Sequence, residues 1–356
     1  MKKSDITVTK NPNPGVKPDP STLRFGEVFT DHMFIMDYKT GKGWYDPRII
    51  PYGPIALDPA AAVLHYAQEM FEGLKTYITD DGDVQLFRPD MNAKRTNRTN
   101  DRLCIPEIDE DFYVEAIKAL VEVDKDWVPS APDTALYIRP YIIASEPFLG
   151  VRPSDEYKFI VILSPVGPYY AEGLAPTKIF VEDEYVRAVQ GGTGFAKIGG
   201  NYAAGLKSQE KAHANGFSQV LWLDGKEGKY VEEIGTSNAF FVVDNEVWTA
   251  PLEGTILPGI TRDSVITILT DWGIAIKQKR FTIEEIFELY LENRLQEVFA
   301  SGTAAVISPV GEMRWKDKDI VINDNEIGSL SQRLYDTITG IQSGKLPDEH
   351  GWIVKL

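Results

Sequence analysis

The two strongest strand signals in this chain stand side by side with no helix between them. ALYIRPYIIA (135–144) and YKFIVILSPV (157–166) are runs of β-branched and aromatic residues, the composition that fits a pleated, half-buried surface. Upstream lie the strand-like pieces HMFIMDY and VQLF (84–87) and two helix candidates. The first opens at Pro89, whose missing N–H costs nothing in a first turn, and carries Arg95, Arg98 and Arg102 at i, i+3 and i+7. The second, DEDFYVEAIKALVEVDKDW, sets Phe112, Ala116, Ile117 and Leu120 on one face. The arm NPNPGVKPDP (11–20) is spaced by prolines and reads as extended.

The Pro- and Gly-rich stretch PVGPYYAEGLAP lacks periodicity and reads as a linker over 165–177, dividing 1–164 from 178–356. Beyond it the pattern gives a helix over 201–214, strands at QVLWLD, FFVVD and EVWTA, and a helix over 262–272. The strand IAIKQKR follows, then helices near 282–290 and 326–342, with EVFAS and AVISPV as strands between them. Strands and helices interleave without a strict βαβ rhythm. That favours a mixed α/β protein of two domains with a site between them.

Composition removes several function classes. A net charge of −16 argues against a nucleic-acid partner, which would need a dominant basic face. Cys104 is the single cysteine, so no intramolecular disulfide framework exists. The basic N-terminus has no apolar run behind it, and the longest apolar stretches, such as Phe159 to Leu163, are too short to span a bilayer. A cytoplasmic protein is expected. His32, His65, His213 and His350 share no ligand spacing, so no metal is expected.

The most informative stretch is GGTGFAKIGGNY (191–202). It fails the phosphate-loop pattern, since Lys197 stands between Ala196 and Ile198. It fails the dinucleotide pattern too, since Lys197 occupies the place of the third glycine. Two readings survive: a lysine on an exposed flexible loop, or a lysine whose amine does chemistry. An amine is nucleophilic only when neutral, and burial is how a Schiff-base lysine is brought to that state.

A lysine that forms a Schiff base with pyridoxal phosphate needs an anion site, a carboxylate for the pyridine nitrogen and a substrate pocket. LPGITRDSV (257–265) offers the anion site, with the N–H groups of Ile260 and Thr261 at a helix start and Arg95 as a cation. A plain helix cap is the alternative. VEEIGTSNAFF (231–241) offers Glu232 and Glu233 before an apolar strand, one expected to face inward and the other water. A turn with two exposed acids is the alternative there.

Seven segments in order resemble one family, the branched-chain amino acid aminotransferases, pyridoxal-phosphate enzymes of fold type IV. They are HYAQEMFEGLKTY (65–77), LFRPDMNAKR (86–95), ALYIRP (135–140), GGTGFAKIGGNY, EEIGTSNAFF (232–241), ILPGITR (256–262) and ASGTAA (300–305). The resemblance implies a small N-terminal α/β domain and a larger pseudo-barrel domain that binds the cofactor. It implies that Lys197 is the Schiff-base lysine and Glu233 the partner of the pyridine nitrogen. Arg95, Ile260, Thr261 and Thr303 match phosphate positions, and Tyr202 matches the residue beside the phenolic oxygen. Tyr66, Phe71, Tyr137, Tyr169, Thr236 and Ala304 match substrate-pocket positions, and Arg139 the arginine for acidic substrates.

The reaction implied is reversible ping-pong transfer of the amino group from leucine, isoleucine or valine to 2-oxoglutarate, by a homodimer. A C-x-x-C switch known in some animal members has no counterpart here, where Ala305 and Ser308 stand. Two rivals remain. One keeps the fold for D-amino acid transamination or aminodeoxychorismate lyase chemistry. The other is a non-catalytic binding protein, against which Lys197 and Glu233 argue because binding alone needs neither.

Overall fold

The computed structural model describes residues 1–167 and 174–356. Tyr169 and the middle of the expected linker lie outside the described residues. The chain forms two compact units. The first comprises Met1–Tyr169, Lys197–Gly199 and Gly340–Leu356; the second comprises Tyr170–Ala196 and Gly200–Thr339.

The adjacent strand signals form the centre of the first unit. Ala135–Ala144 and Glu156–Val166 pair antiparallel along their whole length. A nine-stranded sheet extends outward from them, through His32–Lys39 and Gly43–Pro51 on one side and Leu74–Ile78 and Val84–Phe87 on the other. Ile353–Lys355 closes that second edge against Val84–Phe87. Helices form where the pattern placed them. Pro89–Leu103 has its proline in the first turn, and Glu110–Val123 is capped by Asp109, whose carboxylate accepts from Phe112 N–H at 2.7 Å. Phe112, Ala116, Ile117 and Leu120 are all buried. The Tyr113 ring stacks on Phe159 with centroids 5.5 Å apart, fixing this helix to the sheet.

The second unit is organised by a sheet that closes on itself. Val231–Ile234 pairs with Gln219–Leu223, then in turn come Thr177–Glu182, Val306–Trp315, Leu295–Gly302 and Ser237–Val243, which pairs back to Val231–Ile234. Six strands thus make a barrel-like ring with no open edge. Ile179, Val181, Leu221, Phe241 and Val298 belong to a core that also takes in Ile283, Ile286 and Phe287 of helix Ile283–Leu291. Each such side chain contributes roughly 1.5–3 kcal/mol by leaving water.

Two sequence expectations need correction. The helix over 201–214 is two helices, Gly199–Ala203 and Leu206–Ala214. Gly205 between them lies where a Cβ would stand 3.2 Å from the Trp222 ring, so the chain turns there to let the indole in. Glu232 and Glu233 do not divide between core and water. Both lie in strand Val231–Ile234 and are 6% and 3% exposed, because a closed ring with packed surroundings leaves neither face of that strand to solvent.

Candidate active site

In the first unit the backbone of Lys197 is held at both ends. Its N–H donates to Thr99 Oγ1 at 3.1 Å, and its carbonyl accepts from Phe71 N–H at 3.0 Å. The side chain is half-buried, with Nζ 4.7 Å from the centroid of the Phe71 ring. Two residues on, Gly199 N–H donates to the Glu69 carboxylate. A lysine waving on an exposed loop does not have these contacts.

Phe71 is shared with a second cation. Arg139 stands 4.8 Å from the Phe71 centroid and 5.3 Å from that of Tyr137, and it donates to the Tyr137 hydroxyl at 3.0 Å. Lys197, Phe71, Arg139 and Tyr137 therefore form one run of alternating cation and ring. Gly73 is required beside it, since a Cβ there would strike the Tyr137 hydroxyl. Tyr66 is exposed and donates its hydroxyl to the Leu149 carbonyl.

Sequence reasoning passed over Glu72. It is fully buried and accepts from Arg95 Nε at 2.7 Å, from Arg95 Nη2 at 2.8 Å and from Asn92 at 2.8 Å. Burial pushes its carboxyl up, but the Arg95 cation with its hydrogen bonds, the Lys197 charge and Asn92 outweigh that and hold it below the usual range. The signal was present in MFEGLK: an acid inside an apolar run must find a partner. Arg95 is thus engaged with Glu72, while Arg98 and Arg102 lie on the exposed side of the helix.

In the second unit three expected residues share a pocket. A cavity of about 170 Å³ is lined by Tyr202, Glu233 and Thr236, with Arg187, Trp222 and Leu257. Ala196, the residue before Lys197, also lines it. Asn201 clamps the glycine-rich segment by donating to the carbonyls of Thr193 and Ala196, each at 2.8 Å.

Glu233 is fixed from both sides. Asn238 Nδ2 donates to its Oε1 at 3.0 Å and also bonds the Leu257 carbonyl at 3.0 Å. Arg187 Nε lies 2.9 Å from Oε2 as an ion pair, although its N–H is not aligned as a hydrogen bond. The Arg187 Nη2 donates instead to the Thr255 carbonyl.

Strand register brings further candidates to the same end of the barrel. Asn238 pairs with Ser301, and Gly302 with Val306. The turn holding Thr236 and the turn holding Thr303 and Ala304 are therefore neighbours. Helix Ile260–Asp271 starts beside them, because its N-cap Gly259 lies against Asn238 with no room for a Cβ. Ile260 and Thr261 are its first two residues, whose N–H groups have no carbonyl one turn earlier in the helix. Among the described residues no cluster of three or more His, Cys, Asp or Glu side chains could hold a metal ion. No helix among them is long and apolar enough to cross a membrane.

Comparison with known proteins defines the class. The family model for class IV amino-transferases matches residues 69–313. The chain belongs to that family, and within it to the branched-chain amino acid aminotransferases. It is 56% identical over 352 residues to branched-chain-amino-acid aminotransferase 2 of Bacillus subtilis, covering 99% of this chain and 96% of that one. The fold is similar to that of the Escherichia coli branched-chain amino acid aminotransferase, with a TM-score of 0.75 at 26% identity over 91% of this chain and 98% of the other. It is also similar to the T.th. branched-chain amino acid aminotransferase complexed with N-(5'-phosphopyridoxyl)-L-glutamate, with a TM-score of 0.71 at 26% identity over 90% and 97% of the two chains.

Proposed function

We infer that this protein moves the amino group between branched-chain L-amino acids and 2-oxoglutarate, using pyridoxal 5'-phosphate. The observation that carries this reading is Glu233: a buried carboxylate, oriented by Asn238 and Arg187, in the wall of the pocket that Tyr202 and Thr236 also line. A fixed buried acid of this kind suits a protonated ring nitrogen. A helix N-terminus with a glycine cap suits a phosphate.

Pyridoxal phosphate supplies an electron sink that makes the substrate's α-proton acidic. Lys197 would anchor its aldehyde carbon, Glu233 its ring nitrogen and Tyr202 its phenolic oxygen. Ile260, Thr261, Thr303 and Arg95 would hold its phosphate, Arg95 while also paired with Glu72. The Lys197 amine, when not bonded to the cofactor, would take the proton from the substrate Cα as general base and give it back as general acid.

The substrate side chain would be met by Phe71, Tyr137, Tyr66, Tyr169, Thr236 and Ala304. An aromatic wall rewards an isobutyl or isopropyl group by burial at about 25 cal/mol per Å². Arg139 would serve the carboxylate of glutamate, its charge resting on the Phe71 and Tyr137 rings when an apolar substrate is bound. A cytoplasmic homodimer is part of the same reading, and sedimentation of the loaded protein tests the dimer.

The test is a substrate panel with 2-oxoglutarate as acceptor, reading glutamate formed. Leucine, isoleucine and valine should be active and D-alanine inert. Faster turnover of D-alanine would move the protein to another chemistry on the same fold.

A further inference from the structure

The segment that carries Lys197 is gripped from one short strand of the first unit. Glu69–Phe71 pairs antiparallel with the central strand Ala135–Ala144, Glu69 opposite Ile143 and Phe71 opposite Tyr141. Met70 between them is 1% exposed and packs into the core, so the side chains of Glu69 and Phe71 share the other face of the strand. Phe71 N–H donates to the Lys197 carbonyl at 3.0 Å, and the Phe71 ring centroid lies 4.7 Å from Lys197 Nζ. The half-buried Glu69 carboxylate accepts from Gly199 N–H. Residues 69 and 71 thus hold residues 199 and 197.

The Gly199 end of this grip depends on the acid. Gly199 opens the short helix Gly199–Ala203, so its N–H has no carbonyl one turn earlier in the helix and needs an acceptor from outside. A side chain at 199 would keep the carboxylate away, since a Cβ there would stand 2.5 Å from Glu69 Oε1. A neutral backbone donor asks for an oxygen at the right reach rather than for a charge. The surroundings of Glu69 agree with that. Burial pushes its carboxyl up, the Gly199 hydrogen bond and the Arg139 charge pull it down, and the balance stands above the usual value.

We propose that Glu69 is a positioning residue for Lys197, fixing through Gly199 the segment from which the amine projects. This rests on Lys197 being the lysine that does the chemistry. Thr99 Oγ1 holds the Lys197 N–H and Phe71 holds its carbonyl, while Glu69 supplies the hold on the C-terminal side. Without that third tether the amine loses its fixed place, and a misplacement of about 1 Å can cost on the order of 10²-fold in rate.

The experiment compares cofactor-loaded wild type with Glu69→Ala, Glu69→Gln and Glu69→Asp. Gln keeps the acceptor and its reach but drops the charge; Asp keeps the charge but is one methylene too short. With leucine, kcat of the Ala and Asp variants should fall roughly ten- to a hundredfold with KM within about threefold, and the Gln variant should stay within about threefold of wild type. The second readout is amide hydrogen exchange in the loaded protein without substrate, followed in the peptide that contains Gly199. Exchange there should be roughly tenfold faster in the Ala and Asp variants and close to wild type in Gln, as the loss or retention of one hydrogen bond requires. Thermal unfolding establishes that each variant is folded. A folded Ala variant with wild-type kcat and exchange would overturn the proposal alone, and so would an Asp variant that works while Gln fails, because charge rather than reach would then be the property in use. A wild type that takes up no cofactor would overturn the functional reading and the proposal together.

Discussion

Each unit buries a glutamate against an arginine, and the two pairs are built differently. In the first, Arg95 meets Glu72 with two parallel N–H donors and Asn92 adds a third. In the second, Arg187 meets Glu233 off-line and spends a donor on the Thr255 carbonyl, while the next residue, Glu232, is also buried. A matched fork settles charge and geometry at once and works as an anchor. An arginine that is not aligned with the carboxylate it faces leaves that acid's charge less fully taken up, which suits the role proposed for Glu233.

The largest effect lies outside both pairs and fixes the scale for them. Lys197→Ala should cost turnover at least the roughly 10²–10⁴-fold that a positioned acid–base group supplies, with the protein still folded. Next, Glu72→Gln should cost about 3–5 kcal/mol of stability, because it leaves Arg95 buried without its counter-charge. Glu233→Gln should lose less stability and more activity. Denaturant unfolding of the two variants, set beside their rates, separates anchor from working acid; equal stability losses would break the comparison.

Glu232→Gln gives a smaller, pH-dependent effect. The folded carboxyl titrates near 7, above its ordinary 4.5. A group raised in this way contributes fully below its unfolded pKa, and that contribution is lost as pH rises through the folded value. The variant should match wild type at pH 4 and exceed it by about 1–3 kcal/mol at pH 8.5. Thermal unfolding at the two pH values checks the sign. The smallest effect is a control in the first unit: Asp109→Ala removes a helix cap and should cost about 1 kcal/mol with no change in rate.

Much of the architecture was legible because local patterns encode it. Pro89 marks its helix start, the apolar face at Phe112 to Leu120 predicts its own burial, and the paired runs at 135–144 and 157–166 form the central strands of their sheet. Closure of the six-stranded ring was legible only through the family resemblance, which implied a pseudo-barrel, and not from local pattern. It depends on which distant strands pair, such as Thr177–Glu182 with Val306–Trp315, and no local period records that.

The same closure explains the misreading of Glu232. Alternation along a strand gives one wet face only when a wet face exists. Glu72 escaped because its partner Arg95 is twenty-three residues away on a helix. Tyr202 comes from one stretch and Glu233 and Thr236 from another, so their shared pocket is a product of the fold.

The most direct test of the central claim is the near-visible absorption spectrum of the purified protein before and after adding L-leucine, in wild type and Lys197→Ala. The account predicts a band from bound pyridoxal phosphate that bleaches with leucine in wild type and a variant that does not respond in this way. A wild-type band indifferent to leucine, or a Lys197→Ala protein that bleaches like wild type, would contradict it.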